Sequence, residues 1–289
     1  MLKHVISLIR VKHWIKNCLI FLPAFFGGVI KEPEVLKNLL LIFLCFSFTA
    51  SLVYVFNDLM DLEKDKVHPK KKNRALASGN LSVKQAYILF AAIFLIVVLL
   101  STLLPVNVVI ITAIYLIINI LYSLGLKKVP ILELFIVAVG FLFRIFIGGF
   151  GAEVEPSKWI VMLTFFGALY IVITKRKGEL LNIEADNSRD VLKQYSLEYL
   201  NLAMIILATV SIVAYIMYTV EPDVISRFAT DKIYLTSFIA IFILLRHLQQ
   251  TIKFNKTESP VEYLYKDKVN LIAILVWLLV FYILIYNYK

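Results

Sequence analysis

Two cysteines in 289 residues are too few for a disulfide framework, and Cys18 and Cys45 fit no zinc spacing. Both lie in apolar runs and read as small buried hydrophobes. Charge is scarce as well: 17% of residues are Asp, Glu, Lys or Arg, against about 25% in a typical soluble domain. No dinucleotide fingerprint is present, and Gly148, Gly149 and Gly151 read as positions of close helix packing. The four histidines, His4, His13, His68 and His247, show no ligand spacing and read as interfacial or loop residues. The N-terminal stretch MLKHVISLIRVKHW lacks a small-residue cleavage site. It reads as an amphipathic lead-in lying on a membrane surface, not as a signal peptide.

What the chain has in excess is hydrocarbon. It is 61% hydrophobic, with a mean hydropathy of +0.84, where a soluble chain is about 45–50% apolar. The excess falls in blocks of about 20 residues, the length that crosses a bilayer as a helix. The blocks are continuous and do not alternate, so a helix bundle is expected and a barrel is not. Nine blocks can be marked, near 15–30, 36–58, 84–103, 105–125, 130–151, 157–174, 198–220, 231–248 and 270–288. The first is interrupted by Pro23 and Gly27-Gly28, and the third and fourth are separated only by a turn at Pro105.

The basic residues orient this pattern. With the N-terminus in the cytoplasm, 23 of the 30 Lys and Arg fall in inside segments, six in outside segments, and Arg144 within a block. Such a bias is the positive-inside signal. It predicts an all-α membrane protein of nine transmembrane helices, N-terminus cytoplasmic and C-terminus outside, forming one domain over 1–289. The net charge of +10 is then a matter of topology and anionic lipid, and nucleic acid is not a partner. The outside loops, KEPEVLK, GAEVEPSK and EPDVISRFATDK, read as short turns. The charged inside loops place any active site at the cytoplasmic face of the cell membrane.

One inside stretch gathers acid and base beside apolar helices: VFNDLMDLEKDKVHPKKKNRALASG at 55–79. At about 100° per residue, Asp58, Asp61 and Asp65 fall within roughly 60° of one another on a helix, with Asn57 beside Asp61. Three clustered carboxylates repel unless a cation sits among them. All-oxygen donors suit Mg²⁺, which binds one or two carboxylates plus substrate phosphates. Arg74, before the turn Ser78-Gly79, reads as a phosphate contact. Lys64, Lys66 and Lys70 to Lys72 read equally as topological charge. Glu133 and Arg144 share a face of the fifth block, where ionisable residues line a cavity or pair with neighbours.

The segment NDLMDLEKD matches the NDxxDxxxD signature of the UbiA-type intramembrane prenyltransferase superfamily, whose members have nine helices. VKHWIKNCLIFLPAFF at 11–26, the whole of 57–79, YSLGLKKVPILELFIVAVGFLFRIFIGG at 122–149 and TKRKGELLNIEADNSRDVLKQYS at 174–196 resemble its decaprenyl-phosphate phosphoribosyltransferase branch. The last third resembles the family only in hydropathy. The resemblance implies transfer of 5-phosphoribose from 5-phosphoribosyl diphosphate to a polyprenyl phosphate, with release of diphosphate and Mg²⁺ as cofactor. It implies that Asp58, Asp61 and Asp65 hold Mg²⁺, supported by Asn57, and that Arg74 meets the diphosphate. Lys12 and Lys16 are implied as lipid-phosphate contacts, and Trp14 as an interface residue. Tyr122 and Lys127 match a tyrosine–lysine pair of the family, beside Lys128, and Arg144 is a further phosphate candidate. Lys175, Arg176 and Glu179 are implied at the phosphoribosyl group, with Arg189 and Tyr195 matching further letters of the branch.

Two departures stand out. This chain has Arg74-Ala75 where the family has Arg-Pro, a less rigid turn. Asp186 and Asp190 spell DxxxD where prenyltransferases of the superfamily carry a second metal motif. The runner-up reading is therefore a prenyltransferase that ionises a polyprenyl diphosphate and alkylates an aromatic acceptor. A transporter is disfavoured, because charge collects at one face and no inverted repeat with broken helices is visible. Self-association is left open.

Overall fold

A computed structural model describes residues 2–69, 71–181, 190–255 and 266–286. Lys70, Asp186 and Arg189 lie outside the described residues, as does the side chain of Asp190. Every regular element among the described residues is helical. Among the described residues eight helices are long and apolar enough to cross a membrane. The chain divides into two compact units, Met1–Ile136 with Gly140–Pro156, and Val137–Val139 with Ser157–Lys289.

In the first unit a short helix α1 (Leu2–Leu8) leads into a 3₁₀ segment (Val11–Phe21) and α2 (Leu22–Gly27). The first expected block is thus no long α-helix. Pro23 sits at the start of α2, and Gly28 at φ 78° ends it, a left-handed conformation that glycine adopts without strain. Three residues per turn in the 3₁₀ segment put Val11, Trp14, Asn17 and Ile20 along one edge. Asn17 and Ile20 on that edge are buried, whereas Lys12, Ile15 and Cys18 on the next edge are exposed. Cys18 therefore corrects the reading of two buried cysteines; only Cys45 is buried.

The long helix α3 (Pro33–Met60) is the spine of this unit, started by Pro33 at its first turn. It packs against the 3₁₀ segment, α5 (Val83–Ser101) and α6 (Val106–Leu124). Ile42, Phe46 and Ala50 meet Ile20, Val108, Tyr115 and Ile147. On another face Cys45 and Leu52 meet Ile93 and Val97. At the inner end Val55 joins Leu8, Ala75, Leu76 and Ala86. Between helices in lipid the hydrophobic effect gives little, so close contact and interhelical hydrogen bonds hold the bundle. The glycines of α7 (Leu132–Ala152) follow that rule: a Cβ on Gly148 would meet the Ile20 carbonyl, and one on Gly151 the Ile42 side chain. α5 starts with a capping box, Ser82 Oγ accepting from Gln85 N (3.2 Å) and Gln85 Oε1 from Ser82 N (2.9 Å). Its outward residues Ile88, Phe94, Leu95 and Leu99 are exposed, as a lipid-facing stripe must be.

The second unit holds α8 (Lys158–Leu181), α9 (Leu197–Val220), a short α10 (Pro222–Phe228), α11 (Thr236–Lys253) and α12 (Lys268–Tyr286). α10 falls where a simple turn was expected; Pro222 presets the first helical φ there. α8 packs on α9, α9 on α11, and α11 on α12. Polar side chains tie them: Tyr170 OH to His247 Nδ1 (2.8 Å), Tyr215 OH to Thr236 Oγ1 (2.7 Å), and Trp277 Nε1 to Tyr215 OH (2.8 Å). His247 is 1% exposed. It is a core residue of α11, which corrects its reading as an interfacial or loop histidine.

Candidate active site

α3 stops at Met60, and a short helix α4 (Leu62–Val67) follows. Asp61 stands at the junction with φ −97° and ψ 7°. Helical hydrogen bonds nevertheless run through the break, Asp61 N to Asn57 O (2.9 Å) and Asp65 N to Asp61 O (2.8 Å). The three acids thus stay close in register, but they do not share one partner. Asp58 and Asp65 turn inward and are buried, each 3% exposed. Arg74 Nη1 joins them, donating to Asp58 Oδ1 (3.1 Å) and Asp65 Oδ2 (2.5 Å). Asp61 instead accepts from Lys127 Nζ at 2.6 Å. In this structure the three acids stand as a buried pair bridged by Arg74 and a third acid paired with Lys127.

The turn after α4 aims Arg74. Lys71 stands 4.0 Å from Asp65 across that turn. Ser78 N donates to Arg74 O (2.8 Å), Leu81 N to Ala75 O (3.0 Å), and Gly79 takes φ 77°. Ala75 and Leu76 are buried against α3. Burial and backbone bonds fix the turn without the proline that the family places there.

Two bonds from α6 and the following 3₁₀ turn (Leu126–Lys128) close the other side. Ser123 Oγ donates to Asn57 Oδ1 at 3.3 Å, and Lys127 reaches Asp61. Tyr122, on the last turn of α6, is half-buried beside Ser123 in sequence.

The 3₁₀ segment brings the remaining cations of this unit. Trp14 Nε1 donates to Ser51 Oγ (3.1 Å), and its ring meets Phe48 edge-on at 5.3 Å. Trp14 is therefore a strut onto α3. Asn17 Nδ2 donates to Ser47 Oγ (2.8 Å), and Asn17 Oδ1 accepts from Arg144 Nε (2.8 Å). Arg144 also donates to the Gly140 carbonyl and lies over the Phe46, Phe141 and Tyr115 rings, at 4.8, 5.4 and 5.5 Å. It is 5% exposed and has no carboxylate partner among the described residues. Lys16, outside the eight spans, has none either. Burial pushes its ammonium pKa down, and repulsion from Arg144 and then Arg10 adds to this. Lys12 is exposed. Glu133, in the first turn of α7, is fully buried.

Arg10 was missed by sequence reasoning, which counted it only as topological charge. Its Nη2 donates to Asp58 Oδ1 at 2.5 Å. Only its place immediately before the VKHW segment could have pointed to it.

In the second unit the end of α8 carries Lys175, Arg176, Lys177 and Glu179. Arg176, 3% exposed, donates from Nη1 to Glu179 Oε2 at 2.7 Å. Lys177, equally buried, donates to the Thr251 carbonyl at 2.9 Å, in the last turn of α11. Lys175 is exposed, and Tyr195 is buried, its ring stacked on Tyr199 at 6.0 Å.

The chemistry of the acids suits a hard divalent cation. One oxygen each of Asp58 and Asp65 already share a single cationic nitrogen, and Mg²⁺ needs few protein carboxylates when substrate oxygens complete its shell. The residues present therefore fit Mg²⁺ bound together with a phosphorylated ligand. They do not form a ready cage: among the described residues no group of three or more His, Cys, Asp or Glu is placed to hold a metal.

The chain is similar to several known proteins. A decaprenyl-phosphate phosphoribosyltransferase of Mycolicibacterium smegmatis is 29% identical over 285 residues, covering 95% of this chain and 90% of that protein. Its namesake from Mycobacterium tuberculosis is 32% identical over 225 residues, covering 76% and 74%. The structure of a UbiA homolog from Archaeoglobus fulgidus bound to GPP and Mg²⁺ superposes with a TM-score of 0.69 at 17% identity, covering 84% and 88%. The UbiA prenyltransferase family model matches residues 20–191. A match of that extent over the acidic motif, the helices that hold it and the α8 end assigns the chain: it belongs to the UbiA prenyltransferase family.

Proposed function

We propose that the chain transfers 5-phosphoribose from 5-phosphoribosyl 1-diphosphate to a polyprenyl phosphate such as decaprenyl phosphate. One observation carries this reading. In the first unit four cations, Arg10, Lys71, Arg74 and Lys127, meet three carboxylates, while Lys16 and Arg144 have no carboxylate partner among the described residues. Six positive charges against three leave an excess suited to a polyanion such as diphosphate. The names of the two mycobacterial relatives supply the choice of donor and acceptor.

In the reaction an oxygen of the lipid phosphate bonds to C1 of the ribose, and the C1–oxygen bond to diphosphate breaks. The electron pair leaves with diphosphate. The lipid phosphate is ionised at neutral pH, so it needs no strong general base. Asp58, Asp65 and in this reading Asp61 would hold Mg²⁺, which would supply charge neutralisation to the leaving group. Arg74, Lys127 and Arg144 hold phosphate oxygens, Asn57 and Tyr122 orient the donor, and Lys12 and Lys16 meet the lipid phosphate. Burial of the acids keeps water from the developing positive charge at C1. Lys175, Arg176, Glu179 and Arg189 keep their proposed role toward the phosphoribosyl group. The nine-span topology, with N-terminus inside, C-terminus outside and the site at the cytoplasmic face of the cell membrane, belongs to this proposal, as does a single domain over 1–289. Prenyl transfer to an aromatic acceptor is the second reading, favoured by the GPP-bound fold neighbour.

The test uses purified protein with Mg²⁺, radiolabelled phosphoribosyl diphosphate and decaprenyl phosphate, followed by lipid extraction. Label should enter the lipid phase. No label, together with prenylation of a hydroxybenzoate from a polyprenyl diphosphate, would establish the second reading instead.

A further inference from the structure

Arg10 joins α1 to the 3₁₀ segment with φ 53° and ψ 49°. A left-handed conformation at a residue with a Cβ costs on the order of 1–2 kcal/mol and persists only where the surroundings enforce it. Here they do. Arg10 N donates to Ser7 O (3.2 Å), His13 N to Arg10 O (2.8 Å), and Ser51 Oγ to the neighbouring Ile9 O (2.9 Å). The strained backbone throws the side chain across α3, where the guanidinium lies over the Tyr54 ring at 4.6 Å and meets Asp58.

Asp58 Oδ1 is thereby held by two guanidiniums at once, Arg10 Nη2 at 2.5 Å and Arg74 Nη1 at 3.1 Å. Arg74 is secured independently, by Asp65. Arg10 is not: among the described residues Asp58 is its only ion-pair partner, and its side chain is 19% exposed. A guanidinium has five N–H donors in a fixed fork, suited to phosphate as well as to carboxylate. The Tyr54 ring holds the face of this fork and leaves its edge free to change acceptor.

We infer that Arg10 is an exchange residue that couples cation and anion binding at this site. In the cation-free chain it neutralises Asp58. Once Asp58 gives its oxygen to a divalent cation, Arg10 is released to a phosphate oxygen of the anionic ligand, still seated on Tyr54. Removing the side chain then has two opposite effects: the cation alone binds more readily, because its competitor is gone, and the anion no longer strengthens that binding. This rests on the reading of Asp58 and Asp65 as the Mg²⁺ site.

The test is Mn²⁺ binding to full-length, detergent-solubilised protein, read by electron paramagnetic resonance with and without inorganic pyrophosphate. Arg10→Gly suits the backbone, since glycine adopts this φ without strain, and its melting temperature checks that it folds; Arg10→Lys restores a charge. In the unsubstituted protein pyrophosphate should tighten Mn²⁺ by ~10-fold, a usual size for coupling between sites. Arg10→Gly should bind Mn²⁺ alone at least as tightly as the unsubstituted protein, show little tightening by pyrophosphate, and regain part of it as Arg10→Lys. A purely structural arginine would instead weaken Mn²⁺ alone and lower the melting temperature, which overturns the proposal. So does full pyrophosphate coupling in Arg10→Gly, which leaves the metal reading intact. No Mn²⁺ binding by the unsubstituted protein overturns both.

Discussion

The two units use charge in opposite ways. Around α3 and α4, cations outnumber the carboxylates they meet; Arg144 is held by an amide, a carbonyl and aromatic rings, and among the described residues neither it nor Lys16 meets an acid. At the ends of α8 and α11, charges find local partners of their own kind of helix end: Arg176 on Glu179, Lys177 on the Thr251 carbonyl, Arg246 on Asp267 at 3.0 Å. A cation on the last carbonyls of a helix is stabilised by the helix dipole and caps orphan acceptors. Excess charge that the fold does not neutralise is charge available to a ligand. Charge balanced within the fold mostly holds helices in place.

Substitutions in the two units should therefore separate. The largest loss is expected for Asp58→Asn and Asp65→Asn. Each removes a carboxylate that the structure uses twice or more, and transfer activity should fall by about 10²–10³-fold, the scale of removing one preorganised electrostatic group. Thermal melting should stay close to that of the unsubstituted protein, because Arg74 keeps one acid in either variant. Arg144→Gln comes next. A hydrogen bond to a charged group contributes about 1.5–3 kcal/mol, so the KM for the phosphoribosyl donor should rise by about 10–150-fold. An unchanged KM would mean that Arg144 serves only Asn17 and the aromatic rings.

Lys16 gives a pH signature. Its ammonium titrates below the ordinary lysine range, because burial and its cationic neighbours disfavour the charged form. An anion needs the charged form, so affinity for the polyprenyl phosphate should weaken as pH rises, at a lower pH than an ordinary lysine would impose. Lys16→Arg should flatten that limb of the KM–pH profile. The smallest effect on activity is expected in the second unit, for Tyr170→Phe. It removes the hydroxyl that bonds His247 Nδ1 in the core, at a cost of about 1–3 kcal/mol in stability. Turnover should stay within about twofold; a hundredfold loss would mean that this unit's buried polar network serves the chemistry directly.

Most of the helices were legible because bilayer length and continuous hydropathy leave little choice, and the acidic motif was legible because charge beside hydrocarbon is costly. What escaped detection depends on local geometry. The break at Asp61 separates an acid from the other two, although helical periodicity alone aligns all three. The 3₁₀ winding of Val11–Phe21 puts Trp14 and Asn17 on one edge toward α3, which a period of 3.6 does not predict. Arg10 needs a left-handed backbone to reach Asp58, and nothing in a basic, amphipathic run announces one. His247 was misread because an isolated histidine near a helix end carries no sign of the tyrosine that meets it from a helix distant in sequence.

The central claim is that the Asp58–Arg74–Asp65 group is the working centre of phosphoribosyl transfer. Its most direct test is label transfer from phosphoribosyl diphosphate to decaprenyl phosphate by the unsubstituted protein and by Asp65→Asn, each titrated with Mg²⁺. The account predicts Mg²⁺-dependent labelled lipid from the first and a loss of at least about 10²-fold from the second, with both proteins folded. Undiminished labelling by Asp65→Asn would contradict it.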